Sequence, residues 1–367
     1  MKVWIDSRNE LLEVFKSLTS EKYIGLDTEF IRTNTFFPEL ALIQLSDGEK
    51  CWLVDVLSIN DPPMFKAFFE SGGNQFVMHA CAEDLEVLHK AYDIELKNIF
   101  DTQVAANFLN IRFCIGYANL VDTLLNIQLE KSMTRSNWLQ RPLSEAQKLY
   151  AALDVIHLPK LYKLMNQMLI DANKKSSFDE EMQYLLKWNY RCNVKEAYYK
   201  KIKGAWRLND AELVRLYNLS YWRETEAEET DIPRARVLEE KSMLDLAIRN
   251  PRIVDDLYYI DSIHRSKIKR YGIKIIDILC KCQEIKPERP ETPLQKNQRQ
   301  LFKSLKSDVN RVAGENDLPP QFLCSKKELE IVVRNLHDNE RLISGFRTTW
   351  RYHLFDAIIE KHQLSNL

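Results

Sequence analysis

Through the first hundred residues, short apolar runs alternate with polar separators. Residues 23–30, 40–45, 51–56 and 75–79 carry the β-branched and aromatic density of strands. The separators at 33–39 and 46–50 are too short for crossover helices, so the first three strands are predicted to run antiparallel as a meander. From residue 62 the apolar spacing turns helical, over 63–70, 83–92, 102–109, 117–126 and 144–168. The pattern predicts an α/β domain with a mixed sheet. Beyond about residue 170 strand signals stop, and helical periodicity punctuated by Pro, Asn and Asp predicts an all-α back half. That half contains an echo. Ala227, Asp231, Ile232, Pro233 and Val237 return 86 residues later as Ala313, Asp317, Leu318, Pro319 and Leu323, as two copies of a small helical unit would. A Pro-rich stretch, 286–293, lies between them.

Composition narrows the class. Of 367 residues 45% are hydrophobic and 29% charged, with only 9 Gly and 12 Pro, which excludes collagen-like and disorder-dominated chains. No apolar run approaches the roughly 18 residues of a membrane span. The opening MKVWIDSRNELLEVF places acids where a secretory signal is basic and then apolar, so a cytoplasmic location is expected. Seven cysteines at 51, 81, 114, 192, 280, 282 and 324 make neither a disulfide framework nor a paired metal pattern. The net charge of −1 hides an asymmetry: residues 1–170 hold 16 basic against 22 acidic groups, and 171–367 hold 36 against 31. An acidic front half and a mildly basic back half suggest different tasks.

Candidate chemistry starts at 23–30, YIGLDTEF. On a strand, Asp27 and Glu29 project from one face of a segment otherwise apolar enough to be central. Two carboxylates side by side repel each other and lose solvation unless something positive lies between them. A hard divalent cation such as Mg2+ or Mn2+ answers that need. The same spacing at Asp47/Glu49 and Asp93/Glu95 reads instead as solvated turns. Asp84 sits where an apolar strand gives way to a helix, a place where α/β sheets build sites and where acids also cap helices. His79, just before it, reads first as a satisfied buried histidine and second as a substrate contact. Tyr150 and Asp154, four apart on a helix, can converge on one point.

The segments DTEF, HACAEDLEVL and YAALD, in this order and at these separations, resemble the three motifs of the DEDDy branch of the 3′-5′ exonuclease superfamily. The intervening IRTNTFFPELALIQL, FDTQVAANFL and KSMTRSNWLQRPLSEAQKLYAALDVIHLP are similar to the ribonuclease D family. Residues 206–288, with WRETEAEETDIPRARVLEEKSML, resemble an HRDC (helicase and RNase D C-terminal) domain. Residues 292–367, with ENDLPPQFLCSKKELE and ISGFR, resemble a second copy more weakly.

The resemblance implies an RNase H-like exonuclease domain over 1–200 followed by two all-α HRDC-type domains. It implies that Asp27, Glu29, Asp84 and Asp154 hold two divalent ions, Asp27 bridging both, with Asp84 supporting the second through water. Tyr150 matches the tyrosine that defines the branch. A phenol's reference pKa of about 10 makes it a poor base near neutrality, so it is read as aiming the attacking water.

Around these, Thr28, Phe30, Gln44, His79, Arg135, Trp138 and Arg141 are candidate substrate contacts. Phe30 reads equally as a stacking contact for a terminal base and as core, its strand neighbour Leu45 reads mainly as core, and Arg135, Trp138 and Arg141 read also as structural anchors of their loop. Lys267, Lys269 and Arg270, with Arg265, form the densest basic cluster of the helical half, and Lys326 and Lys327 lie in the second unit. The expected activity is release of mononucleotides from RNA 3′ ends, with tRNA precursors as substrates and a monomeric protein. A 3′-5′ DNA exonuclease and a non-catalytic RNA-binding scaffold are the alternatives.

Overall fold

Six strands form one sheet in a computed structural model that describes residues 2–129, 136–189, 195–281, 285–336 and 348–364. They are β1 (Lys2–Ile5), β2 (Tyr23–Ile31), β3 (Glu39–Ser46), β4 (Cys51–Val54), β5 (Gln75–Met78) and β6 (Ile99–Asp101), in the spatial order β1–β4–β3–β2–β5–β6. β2, β3 and β4 are antiparallel neighbours, as the short separators predict, and β1, β5 and β6 join in parallel. The sequence reading does not include β1, of 4 residues, or β6, of 3.

Eight helices accompany the sheet among the described residues up to 189: α1 (Arg8–Leu18), α2 (Pro62–Phe69), α3 (Ala82–Tyr92), α4 (Thr102–Phe108), α5 (Tyr117–Leu125), α6 (Glu145–Ile156), α7 (Leu158–Asp171) and α8 (Lys175–Asn189). The single helix expected over 144–168 is two, divided at His157. Pro159 can occupy only a first helical turn, where its missing N–H leaves no bond unmade. The back half continues with α9 (Asp210–Glu229), α10 (Arg234–Val237), α11 (Glu240–Arg249), α12 (Arg265–Cys280), α13 (Lys296–Glu315), α14 (Pro320–Leu323), α15 (Lys326–Asn335) and α16 (Thr349–Leu364). No described helix is long and apolar enough to cross a membrane. Cys51, Cys81, Cys114, Cys280 and Cys324 are free thiols.

The chain divides into two compact units, one of Met1–Ile31, Glu39–Arg191 and Leu294–Leu367, the other of Arg32–Pro38 and Cys192–Pro293. In the first, the C-terminal helices pack on the exonuclease helices through rings: Phe108 lies 4.9 Å from Phe322 and 5.0 Å from Trp350. Arg351 adds a bidentate pair to Glu181 at 2.8 and 2.9 Å. In the second, α9, α11 and α12 bury Leu216, Leu219, Leu246 and Ile275. The Asp231 carboxylate accepts from the backbone N–H groups of Phe36 and Phe37, both at 3.0 Å.

The 86-residue echo is a repeat of local structure. α9 and α13 have 20 residues each, α10 and α14 have 4, and α11 and α15 have 10, every pair offset by 86. Asp231 and Asp317 take left-handed φ values of 47° and 49°. In both copies the next residue turns its N–H back to an alanine carbonyl, Ile232 to Ala227 at 3.0 Å and Leu318 to Ala313 at 2.9 Å. Proline then caps the four-residue helix. The ISGFR segment, 343–347, lies outside the described residues.

Candidate active site

β2 is central, yet β5 pairs only with its first part, Tyr23–Gly25, while β3 follows it to Ile31 with a slip between Glu29 and Phe30. The stretch bearing Asp27 and Glu29 is therefore open on the β5 side. Both side chains share a face with Gly25, where a Cβ would come 2.7 Å from the Val155 carbonyl oxygen. The missing side chain lets the end of α6 settle against the sheet. The Cys51 thiol also donates to the Ala152 carbonyl at 3.3 Å, and a capping box between Ser144 and Gln147 starts the helix. Asp154 thus arrives over β2. One carboxylate oxygen from each of Asp27, Glu29 and Asp154 lies within 4.8 Å of the other two. Tyr150, one turn earlier, hydrogen-bonds Asp154.

The fourth acid comes from the end of β5. Asp101 accepts from the N–H groups of Ala80 at 3.1 Å and Cys81 at 2.8 Å, holding a sharp corner in which Ala80 has φ 58°. α3 starts there and buries Asp84 in its first turn. Asp84 accepts from the Thr28 hydroxyl and backbone N–H, so it closes the open edge of β2.

Burial raises all four carboxyls, and repulsion from the neighbouring acids adds to it at Asp27 and Glu29. Asp27 stands well above the usual carboxylate range, because burial is reinforced by Asp84, Asp154 and Glu29. Burial, then Asp154 and Asp84, push Glu29 up to about 9. Asp84 and Asp154 rise to about 7, chiefly by burial, although hydrogen bonds from Thr28 and Tyr150 oppose the rise. Among the described residues no cation is a dominant influence on any of the four. All-oxygen donors with unbalanced negative charge are the chemistry of a hard-cation site. Tyr150 is also raised, by burial and then by Asp154, Glu29 and Asp27, and stays a hydrogen-bond donor.

Most of the residues that the sequence offers as substrate contacts are buried or have partners within the protein. Thr28 is buried and holds Asp84. Gln44 is wholly buried. His79 pairs with Thr102 at 2.8 Å and the Ile115 carbonyl at 3.0 Å, using both ring nitrogens. Trp138 is buried and backs the Tyr150 ring at 6.1 Å. Arg141 binds Asp55 at 2.6 Å, the Ala41 carbonyl at 2.8 Å and the Trp138 carbonyl at 2.7 Å. It fastens the segment before α6 to the sheet. Lys267 donates to the Ala235 carbonyl. Phe30 is half-buried against the core, Leu45 lies within it, and Lys269, Arg270 and Arg265 are exposed on α12. Arg135 lies outside the described residues.

Asp47 and Asp93 are turn residues, as read: Asp47 caps the N–H groups of Glu49 and Lys50, and Asp93 ends α3 with left-handed φ 54°. One neighbour of the site escaped the sequence. The buried Tyr117 hydroxyl lies close enough to Asp154 and Asp27 that, after burial, their charges raise its pKa. No spacing along the chain relates α5 to the acid motifs, so nothing in the sequence announces it.

A mixed sheet whose central strand, neighbouring helix start and overlying helix converge four carboxylates and a tyrosine defines a 3′-5′ exonuclease of the metal-dependent, acid-cluster class. The 3′-5′ exonuclease family profile matches residues 2–170, and the HRDC domain profile matches 212–279. The chain is 33% identical to ribonuclease D of Pseudomonas paraeruginosa over 336 residues, covering 90% of this chain and 89% of that one. It is 30% identical to ribonuclease D of Haemophilus influenzae over 337 residues, covering 90% and 84%. Escherichia coli RNase D, whose crystal structure is described as that of an exoribonuclease involved in structured RNA processing, superposes with a TM-score of 0.87 at 27% identity over 97% of this chain and 99% of that one. The chain belongs to the ribonuclease D family.

Proposed function

We propose that this protein hydrolyses RNA from its 3′ end, releasing nucleoside 5′-monophosphates, with two divalent ions, Mg2+ or Mn2+, held by Asp27, Glu29, Asp84 and Asp154. The observation that carries the reading is the convergence of Asp27, Glu29 and Asp154 within 4.8 Å, with no Lys or Arg among the described influences that shift them. Bound divalent ions would supply Lewis acidity, offsetting phosphate charge and making water nucleophilic at neutral pH. Asp27, flanked by the other acids, would serve both ions. Glu29 and Asp154 complete one position, and Asp84, tied by Thr28, supports the other.

Tyr150 keeps its proton, donates a hydrogen bond to Asp154 and accepts one from the attacking water through its phenol oxygen, with Trp138 backing its ring. Phe30 is the residue we place against the terminal base. The exposed Arg265, Lys269, Arg270, Lys326 and Lys327 are read as phosphate contacts.

The substrates we favour are structured RNAs with 3′ extensions, tRNA precursors foremost, in keeping with the RNA-processing description of the Escherichia coli relative. We read the protein as a cytoplasmic monomer with an exonuclease domain over 1–200 and HRDC-like domains over 206–288 and 292–367, the second supported by the repeated helix lengths. The test is degradation of a 3′-extended tRNA precursor with Mg2+, Mn2+ or EDTA, comparing wild type with Asp27→Ala. Mononucleotide release that needs metal and Asp27 supports the reading. RNA bound but never shortened, or shortening of single-stranded DNA alone, would overturn it.

A further inference from the structure

Gln44 is 0% exposed, and neither its Oε1 nor its Nε2 has a hydrogen-bond partner. An unpaired buried polar group costs roughly 1–3 kcal/mol, so an apolar side chain of similar length would suit a purely structural position better. The buried neighbours of Gln44 in β3 obey that rule: Ala41, Leu42, Ile43 and Leu45 are apolar, and the buried Ser46 hydroxyl donates to the Lys50 carbonyl at 2.8 Å. Position 44 is the exception, and its register explains why. Gln44 pairs directly across the ladder with Asp27. Residues opposite each other project from the same face with Cβ atoms about 4.5–5.5 Å apart, a gap that a glutamine side chain spans.

The choice of an amide is also informative. A lysine or arginine opposite Asp27 would neutralise the carboxylate and compete with a divalent cation. A leucine would leave the carboxylate free to rotate. An amide N–H holds a carboxylate in place and leaves its charge intact.

We infer that Gln44 is a positioning residue, whose Nε2, unpaired in the metal-free protein, turns to donate to the Asp27 carboxylate when a divalent cation binds and fixes the orientation in which Asp27 presents an oxygen to it. The inference rests on the metal-site reading of the acid cluster. It also removes the anomaly of the buried amide.

The test compares wild type, Gln44→Met, Gln44→Leu and Asp27→Asn by Mn2+ titration calorimetry, Mn2+ electron paramagnetic resonance and melting temperature in EDTA. Both Gln44 variants should bind Mn2+ about tenfold or more weakly than wild type. Their melting temperature in EDTA should equal or exceed that of wild type, because each removes an unpaired amide from the core. That split separates positioning from packing. Unchanged Mn2+ affinity, with or without a fall in melting temperature, overturns the inference. Failure of both variants to fold overturns it too, by making the amide necessary to the fold itself. If wild type binds no Mn2+, or Asp27→Asn binds it as tightly as wild type, then the metal-site reading fails first.

Discussion

Among the places where the described residues enclose aspartate, α13 and the acid cluster treat it in opposite ways. On α13, Asp308 is hydrogen-bonded to His362 at 2.8 Å, to Lys361 at 3.0 Å and to Arg311 at 3.3 Å. Burial alone would raise its pKa, but these partners outweigh it and hold the carboxyl at about 2. At the acid cluster the same residue type meets burial and other acids, and the pKa moves up. A carboxylate surrounded by its own cations is part of the architecture. Carboxylates gathered with no cation among their described influences have the chemistry of a site for a cation from outside.

The largest test of that contrast is Asp27→Ala. It should cut exonuclease turnover by about a thousandfold or more, equivalent to ~4 kcal/mol of barrier, while the melting temperature in EDTA stays level or rises as repulsion is relieved. Asp308→Asn should do the reverse, lowering the melting temperature and sparing turnover. Tyr150→Phe removes only the aiming hydroxyl and should slow turnover about a hundredfold, with RNA affinity, read by filter binding, unchanged.

Gly25→Ala pushes α6 off β2, and should cost roughly 1–3 kcal/mol in denaturant unfolding, together with a loss of turnover from the displaced Asp154.

The two regions should also differ in the sign of their pH dependence. Glu29, Asp84 and Asp154 are raised to about 9, 7 and 7, so in EDTA the folded state holds protons that the unfolded chain has released. Their contribution is full below the ordinary carboxylate range and is lost as pH rises through 7 to 9. Asp308, lowered to about 2, contributes above that range and is lost as pH falls toward 2. Melting curves in EDTA should decline on both sides, and Asp308→Asn should flatten only the acid side. The smallest expected effect is that of Lys269→Ala with Arg270→Ala, a few-fold loss of RNA affinity and a shallower salt dependence, by about one unit of log–log slope per phosphate contact.

The pairs Asp27 with Glu29 and Tyr150 with Asp154 were legible because a period of two on a strand or four on a helix places each pair on one face. The helical repeat was legible for a similar reason: a left-handed Asp followed by a capping Pro is local backbone chemistry written in adjacent letters. What Gln44 and Thr28 face was not legible, since the places of Asp27 opposite Gln44 and of Asp84 beside Thr28 depend on register and on a corner that Asp101 holds. Structural anchoring was one of the two readings open for Trp138 and Arg141, but nothing nearby in sequence reveals Tyr150 or Asp55 as what they anchor. The docking of the last helices on Phe108 was equally hidden, for it rests on rings scattered over more than two hundred positions.

The bond from Asp231 to the loop between β2 and β3 sets a schedule for the newborn chain. Phe36 and Asp231 are 195 residues apart. At roughly 5–20 residues per second, a ribosome needs on the order of 10–40 s between them. Through that interval Phe36 and Phe37 emerge without the carboxylate that caps their N–H groups. The loop leaving the carboxylate strand is thus among the last pieces of its unit to be secured, although it is among the first to be made.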